Sequence, residues 1–285
     1  MGTSQSSGGP GGGVPMVPSW TPDPPAGGSP ESESGGGKAP DEPAAPAPEA
    51  PPRAPVPAPL APPARFLGAR RALGDYARSG DSRELRRGLG HYVRTGYGGS
   101  ATATRRFGGT ATTAGALGGA LASVAAGQPA APGSPLDPVL LAGRTAQEVM
   151  DAVVEVVRPV DGTQDAEAER ASIRDALSEL LTRFPDADLL NLDPDQRAFA
   201  IERFTAIDVF RRFELDLGKT IIEKAPSAAT ALARLREARD FIKQSVAASF
   251  RKLRGAGRTL TSGRIGQVVG DALKETFEIF EGYAE

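Results

Sequence analysis

The chain has no cysteine and one histidine, His91. The first absence excludes disulfides, thiolate nucleophiles and cysteine-based metal sites. The second excludes a multi-histidine metal site and leaves a Ser-His-Asp triad only formally open. Charge of either sign is not in excess, because 33 basic residues nearly balance 35 acidic ones. Net charge therefore selects no partner class. Large aromatics are sparse, with one Trp and four Tyr among 285 residues. No GxSxG elbow, phosphate-binding P-loop or paired-carboxylate signature is present, so no catalytic residue is assigned and a non-enzymatic protein is expected.

What is present is sharply partitioned. Residues 1–64 hold 18 of the 26 Pro and 11 of the 35 Gly, with six acidic and two basic residues. Large apolar residues are too few there to offset the entropy of ordering, so a disordered arm is expected. Its start is Gly/Ser-rich. Its end, Ala44 to Ala64, is Pro/Ala-rich and favours extended polyproline II. A basic start and an apolar run are both missing, which argues against a signal peptide.

Residues 65–109 carry ten Arg, no Lys and three acids (Asp75, Asp81 and Glu84). They contain a near-repeat: RALGDYARSG from Arg71 to Gly80 matches RGLGHYVRTG from Arg87 to Gly96 at six of ten positions. Each unit reads as a short helix stopped by its last glycine, with Arg near the end suiting the helix dipole. Together they predict a helical hairpin that turns Leu73, Tyr76, Leu89 and Tyr92 to one core. Residues 107–136 are uncharged, and Ala111 to Gly127 is mostly Ala, Gly and Thr. Only Leu117, Leu121 and Val124 are strongly apolar in that stretch. A small-residue helix packed closely within a protein is therefore favoured over a membrane span, which needs about 20 apolar residues.

Residues 137–285 read as amphipathic helices. Thr145 and Glu148 form a capping box before Val149, Met150, Val153, Val154 and Val157, although the valines also suit a strand. Ile173, Leu177, Leu180, Leu181 and Phe184 keep helical spacing. Asp193 precedes Pro194, with Gln196 at the third helical position. Phe199, Phe204, Ile207, Phe210, Phe213 and Leu217 follow as a stripe. Ser227 opens a helix carrying Leu232, Leu235, Phe241, Ile242, Val246, Phe250 and Leu253, stopped by Gly255. Ser262 opens the last. The expected fold is thus mainly α. A disordered Gly/Pro-rich arm (1–64) precedes a helical bundle made of an Arg-rich hairpin with a small-residue helix (65–136) and an amphipathic helical domain (137–285).

Five features invite chemistry. Gly96 to Ala101 formally matches the GxGxxA nucleotide fingerprint, but the strand that should precede it is missing. It reads instead as a turn, with Ser100 or Thr102 capping the next helix. The acidic run Asp186 to Asp195 lacks the Gly and Glu of a calcium loop, so it reads as a capped interhelical turn and no metal is expected. Arg83, Arg86, Arg87, Arg94, Arg105 and Arg106 suit bidentate contacts to phosphate or carboxylate. They point either to a protein partner or the chain's own helices, or to nucleic acid, with Tyr92, Tyr97 and Phe107 as base-stacking candidates. Met1-Gly2-Thr3-Ser4-Gln5-Ser6 fits an N-myristoylation pattern. A small Gly2 also favours Met1 removal, which exposes an α-amine with a pKa of about 7.7–8.0.

Several stretches together resemble a known family. They are MGTS with the Gly/Pro-rich arm and its VPSW (Val17 to Trp20), LAPPARFLGAR (Leu60 to Arg70), and RRGLGHYVRTGYGGSATATRRFGGTATTAGALGGAL (Arg86 to Leu121). This pattern is similar to the QatB family of the bacterial Qat anti-phage defence system, densely over roughly 1–125 and loosely over the C-terminal helices. The resemblance implies a cytoplasmic component without a catalytic domain or cofactor. It also implies three partners: an ATPase, a QueC-like enzyme and a TatD-like nuclease. QueC enzymes activate a 7-deazaguanine carboxylate with ATP for attack by ammonia, and a QueC-like enzyme that accepts a protein amine would find one at Gly2. The resulting expectation is an adaptor or N-terminal modification substrate. The alternatives are a nucleic-acid-binding subunit using the Arg-rich segment and a membrane-acting effector using 107–136, with membrane contact the weaker.

Overall fold

The computed structural model describes residues 64–128, 133–261 and 263–284. The expected arm up to residue 63, Gly2 and Ser262 lie outside them. The regular structure of the described residues is all helical, and no strand occurs among them.

Helices α1 (Leu67–Ser79) and α2 (Ser82–His91) form the expected hairpin. Leu73, Tyr76, Leu89 and Tyr92 are all buried in it. Gly80, in the left-handed region at φ 77°, closes α1, and its N–H donates to the Tyr76 carbonyl. The Asp81 carboxylate then accepts the Arg83 N–H and starts α2. The second repeat departs from the first. Its chain does not stop at Gly96 but widens into a π-helical turn, Tyr92–Tyr97, closed by Gly98 at φ 80°. Gly96 serves close approach instead, since a Cβ there would lie 2.5 Å from the Phe66 ring.

Next come α3 (Ser100–Arg106) and the small-residue helix α4 (Gly108–Ala125). Helix α4 packs mainly against α6 (Ala146–Val157), α8 (Pro194–Phe213) and α11 (Ile265–Gly282). Its small residues permit this: Gly118 faces Ile201 and Ile265, and Gly115 sits against the Gly266 backbone. Among the described residues no helix is long and apolar enough to cross a membrane.

Of the capping residues read from sequence, Thr145, Asp193 and Ser227 act as expected. Thr145 and Glu148 close a capping box on α6, which is a helix despite its valines. Thr163 caps α7 (Gln164–Arg183), and Asp193 with Gln196 caps α8. Helix α8 passes through a second π-helical turn, Glu214–Gly218, into α9 (Lys219–Lys224). Ser227 caps α10 (Ala228–Gly255), which ends one residue later than expected, with Ala256 as its cap and Gly257 left-handed. Leu232 departs from its predicted stripe and is 58% exposed. A short α5 (Pro138–Leu141) precedes α6.

Helix α8 lies against α4, α7 and α10, and α11 covers α3, α4 and α10. One apolar core runs from Phe66 to Phe280. The 136/137 boundary falls in the loop between α4 and α5, and the helices on its two sides share that core. Phe204, Phe213, Phe277 and Phe280 are fully buried in it. Each such side chain contributes about 1.5–3 kcal/mol relative to exposure.

Candidate functional site

The two π-helical turns meet. Tyr92 and Tyr97 of the first both donate their phenolic hydrogens to Oδ2 of Asp216 in the second, at 3.0 and 2.9 Å. A π turn inserts a residue into the helical register and often marks a functional position. Here it re-aims Tyr97 so that both phenols reach one carboxylate. Phe66 stacks on Tyr92 at 5.5 Å between ring centroids, and Phe213 meets Tyr92 edge-on. Arg65 lies 4.3 Å over the Phe66 ring and 3.8 Å from the other Asp216 oxygen. Burial, then the neighbouring carboxylate, push the Tyr97 phenol up to about 12. Burial likewise holds Tyr92 well above its ordinary value. A cavity of about 280 Å³ opens beside this cluster, lined by Arg65, Arg106, Arg212, Asp165, Asp216 and Tyr97.

Behind it lies a buried polar clasp between α4, α7 and α8. Thr110 donates to Asp208 at 2.6 Å and Thr113 to Glu169 at 3.0 Å. Arg212 bridges both carboxylates, at 3.4 Å to Asp208 and 3.0 Å to Glu169. Arg158 holds the second Glu169 oxygen at 2.8 Å. Burial pushes the Asp208 carboxyl up, while Arg212 and Thr110 oppose that rise. The uncharged helix α4 thus supplies hydroxyls where charges would be costly to bury. These groups hold one another, which suits the clasp to fixing three helices rather than moving protons.

The six predicted arginines do not share one set of neighbours. Arg87 pairs with Glu84 at 2.7 Å and reaches Asp75 at 3.7 Å. Arg86 sits 5.7 Å over the Phe241 ring of α10. Arg105 donates to Thr102 at 3.0 Å. Arg94 lies near Glu281, and Arg106 lines the cavity described above. Arg83 is exposed on α2. Among the described residues, Arg83, Arg94, Arg105 and Arg106 have no carboxylate oxygen within 4.0 Å.

Two sequence expectations need correction. Tyr92 and Phe107 are buried and Tyr97 is half-buried on Asp216, so these rings are spent on the core and offer no platform to bases. Neither Ser100 nor Thr102 caps α3. Glu281 of α11 does, accepting the Ser100 N–H at 3.0 Å, which leaves the glycine turn no open helix end for a phosphate. Hydrogen bonding from the Ser100 hydroxyl, then from its N–H, holds the Glu281 carboxyl below its usual range. His91 packs against Gly68, and its Nδ1 has no hydrogen-bond partner among the described residues, so it orders no nucleophile. No group of three acidic or histidine side chains there is arranged to hold a metal. Asp216, Asp165, Arg65 and Arg212 were missed because each acts across the fold. Asp216 lies 119 and 124 residues from its two tyrosines, and no local pattern marks it.

No curated protein and no solved structure matches the chain. The model of one family does, that of the Qat anti-phage system associated protein QatB, over residues 98–280. The match begins within the Arg86 to Leu121 block and continues through the C-terminal helices, where the sequence resemblance was looser. Because it covers more than half of the chain, from the closing glycine of the first π turn through nearly all of α11, the chain belongs to the QatB family and has a role in an anti-phage defence system.

Proposed function

We propose that the protein is a non-enzymatic adaptor of its defence system, acting in the bacterial cytoplasm, and that its N-terminal Gly2 is the acceptor for a QueC-like partner. The observation that carries this reading is how the fold spends its charged groups. Glu169, Asp208 and Arg212 are turned inward to lock α4, α7 and α8, and Asp216 is spent on two tyrosines. Arg83, Arg94, Arg105 and Arg106 remain outward on a rigid, tyrosine-pinned support. A fixed scaffold with outward guanidiniums suits docking onto carboxylates of a partner. The ATPase, the QueC-like enzyme and the TatD-like nuclease are the partners this reading proposes.

The proposed modification balances. ATP converts a carboxylate into an acyl adenylate, releasing pyrophosphate. The Gly2 nitrogen attacks the acyl carbon, AMP leaves with the bonding pair, and the nitrogen loses a proton to water as the amide forms. Thr3, Ser4, Gln5 and Ser6 are small or polar, so the terminus fits a narrow site. A test is Gly2→Glu, which blocks Met1 removal and crowds the amine. It is expected to abolish phage resistance while expression and the melting temperature stay unchanged. Full resistance in that variant refutes the acceptor role.

The exposed arginines also support a second reading, nucleic-acid contact through phosphates alone, because the nearby rings are buried. Binding would then fall steeply with salt. Failure to bind single- or double-stranded DNA at low salt refutes it.

A further inference from the structure

A cavity of about 580 Å³ lies between the end of α7, the start of α8, the end of α10 and the loop that leads into α11. Its size falls within the range of about 300–1,000 Å³ typical of small-molecule sites. Two helices build it in the same way. Phe199 and Glu202 stand three residues apart on α8, and Phe250 and Arg254 four apart on α10, so each helix turns one ring and one charged head to the same face. Phe184 closes a third side, edge-on to Phe199 at 5.5 Å and 88°. Arg183 sits 5.6 Å from the Phe184 centroid, and Arg258 approaches from the loop.

Glu202 is the unusual group. Its side chain is only 15% exposed, yet the carboxylate accepts no hydrogen bond among the described residues, and the Arg254 guanidinium stands off at 3.6 Å. Burial pushes its carboxyl up in spite of Arg203, Arg254 and Arg251 around it. A carboxylate at a cavity wall lined by rings, with no protein donor on its solvent-reached oxygens, suits a ligand bearing adjacent N–H donors. Guanidiniums beyond the rings call for phosphate or carboxylate oxygens. We infer that this cavity binds a guanine-type nucleoside phosphate, the base against the half-buried Phe184 and Phe199 with its two N–H donors on Glu202, and the phosphate on Arg254 and Arg183. Adenine fits less well, because its edge turns an acceptor nitrogen toward a carboxylate oxygen. The same chemistry arises from a free nucleotide or from a guanine in a single strand. This inference stands apart from the roles proposed for Gly2 and the α2–α3 arginines.

The test is calorimetric titration of the full chain with GMP, AMP, guanosine and a short guanine-containing DNA single strand. GMP is expected to bind about tenfold or more tightly than AMP, as the loss of a hydrogen bond to a charged group implies. Glu202→Gln should erase that preference. Arg254→Ala should weaken GMP and leave guanosine unchanged. Strand binding without GMP binding supports the site and assigns the strand as its source where Glu202→Gln abolishes it, and overturns the inference where Glu202→Gln leaves it unchanged. If a variant unfolds, the unsubstituted chain still decides, through its GMP-to-AMP ratio and the rise in melting temperature with GMP. Equal affinity for GMP and AMP, or no binding of any of the four at millimolar concentration, overturns the inference.

Discussion

Truncating Tyr92 separates what its ring does from what its hydroxyl does. The side chain is fully buried, stacked on Phe66 and edge-on to Tyr97 and Phe213. Tyr92→Ala removes the ring, which costs about 3–5 kcal/mol for a buried aromatic. Tyr92→Phe keeps the ring and removes one hydrogen bond to a carboxylate. Because Tyr97 still donates to the same oxygen and the Asp216 side chain is 23% exposed, the low end applies, about 1.5 kcal/mol. For a body of this size, each kcal/mol shifts Tm by about 2–4 °C, so the alanine variant should lose about 6–20 °C and the phenylalanine variant about 3–6 °C. Tyr97→Phe added to Tyr92→Phe should cost more than the two single changes summed, since Asp216 then keeps only Arg65. Urea unfolding at neutral pH supplies the free energies. Alkaline titration supplies the sign. A phenol raised by folding stabilises the fold fully below its unfolded value of about 10, and that contribution is lost as pH climbs toward about 12. The double phenylalanine variant should lose the part of the alkaline sensitivity that Tyr92 and Tyr97 supply and keep the part from Tyr76, whose phenol burial also raises. A Tyr92→Ala protein as stable as wild type, or a Tyr92→Phe protein as weak as Tyr92→Ala, refutes the assignment.

Four further outcomes follow from individual positions. Glu281→Gln removes the carboxylate that caps α3 and should cost about 0.5–2 kcal/mol near neutral pH. Because folding lowers that carboxyl, the difference from wild type should shrink as pH falls below 4.5, and a pH-independent difference would refute the cap. Gly96→Ala places a Cβ against the Phe66 ring and should cost about 1–3 kcal/mol. Gly119→Ala meets open space in α4 and should be neutral or stabilising, with urea midpoints to decide between them. Replacing Arg83, Arg94, Arg105 and Arg106 by Gln should move stability by no more than about 0.5 kcal/mol each. The same variant should weaken partner capture in pull-downs, and any DNA binding should lose about one unit of salt slope per phosphate contact removed. Undiminished capture would clear these arginines of a role.

The parts of the fold visible in the sequence are those set by near neighbours. Thr145, Asp193 and Ser227 cap helices because a cap needs only a side chain and an N–H two or three residues on. Leu73, Tyr76, Leu89 and Tyr92 disclosed a buried face through their spacing. The hidden parts depend on residues far apart in the chain. Gly96 looked like a helix stop, yet the approach of Phe66 makes it a contact point and passes the stop to Gly98. Glu281 caps a helix 181 residues away. Neither π turn has a local signature, and the carboxylate and phenols that join them at Asp216 lie 119 and 124 residues apart. The three rings near the arginines invited a base-stacking reading, and only their burial withdraws it.

The acceptor role of Gly2 is tested most directly by the mass of the N-terminal peptide. The protein is co-expressed with its system's components, with and without the QueC-like enzyme, and the peptide that begins at Gly2 is fragmented. The account predicts a mass increase on the Gly2 nitrogen that appears only with the QueC-like enzyme and is absent from Gly2→Glu. An unmodified glycine terminus in cells that resist phage would contradict it and leave the protein a plain adaptor.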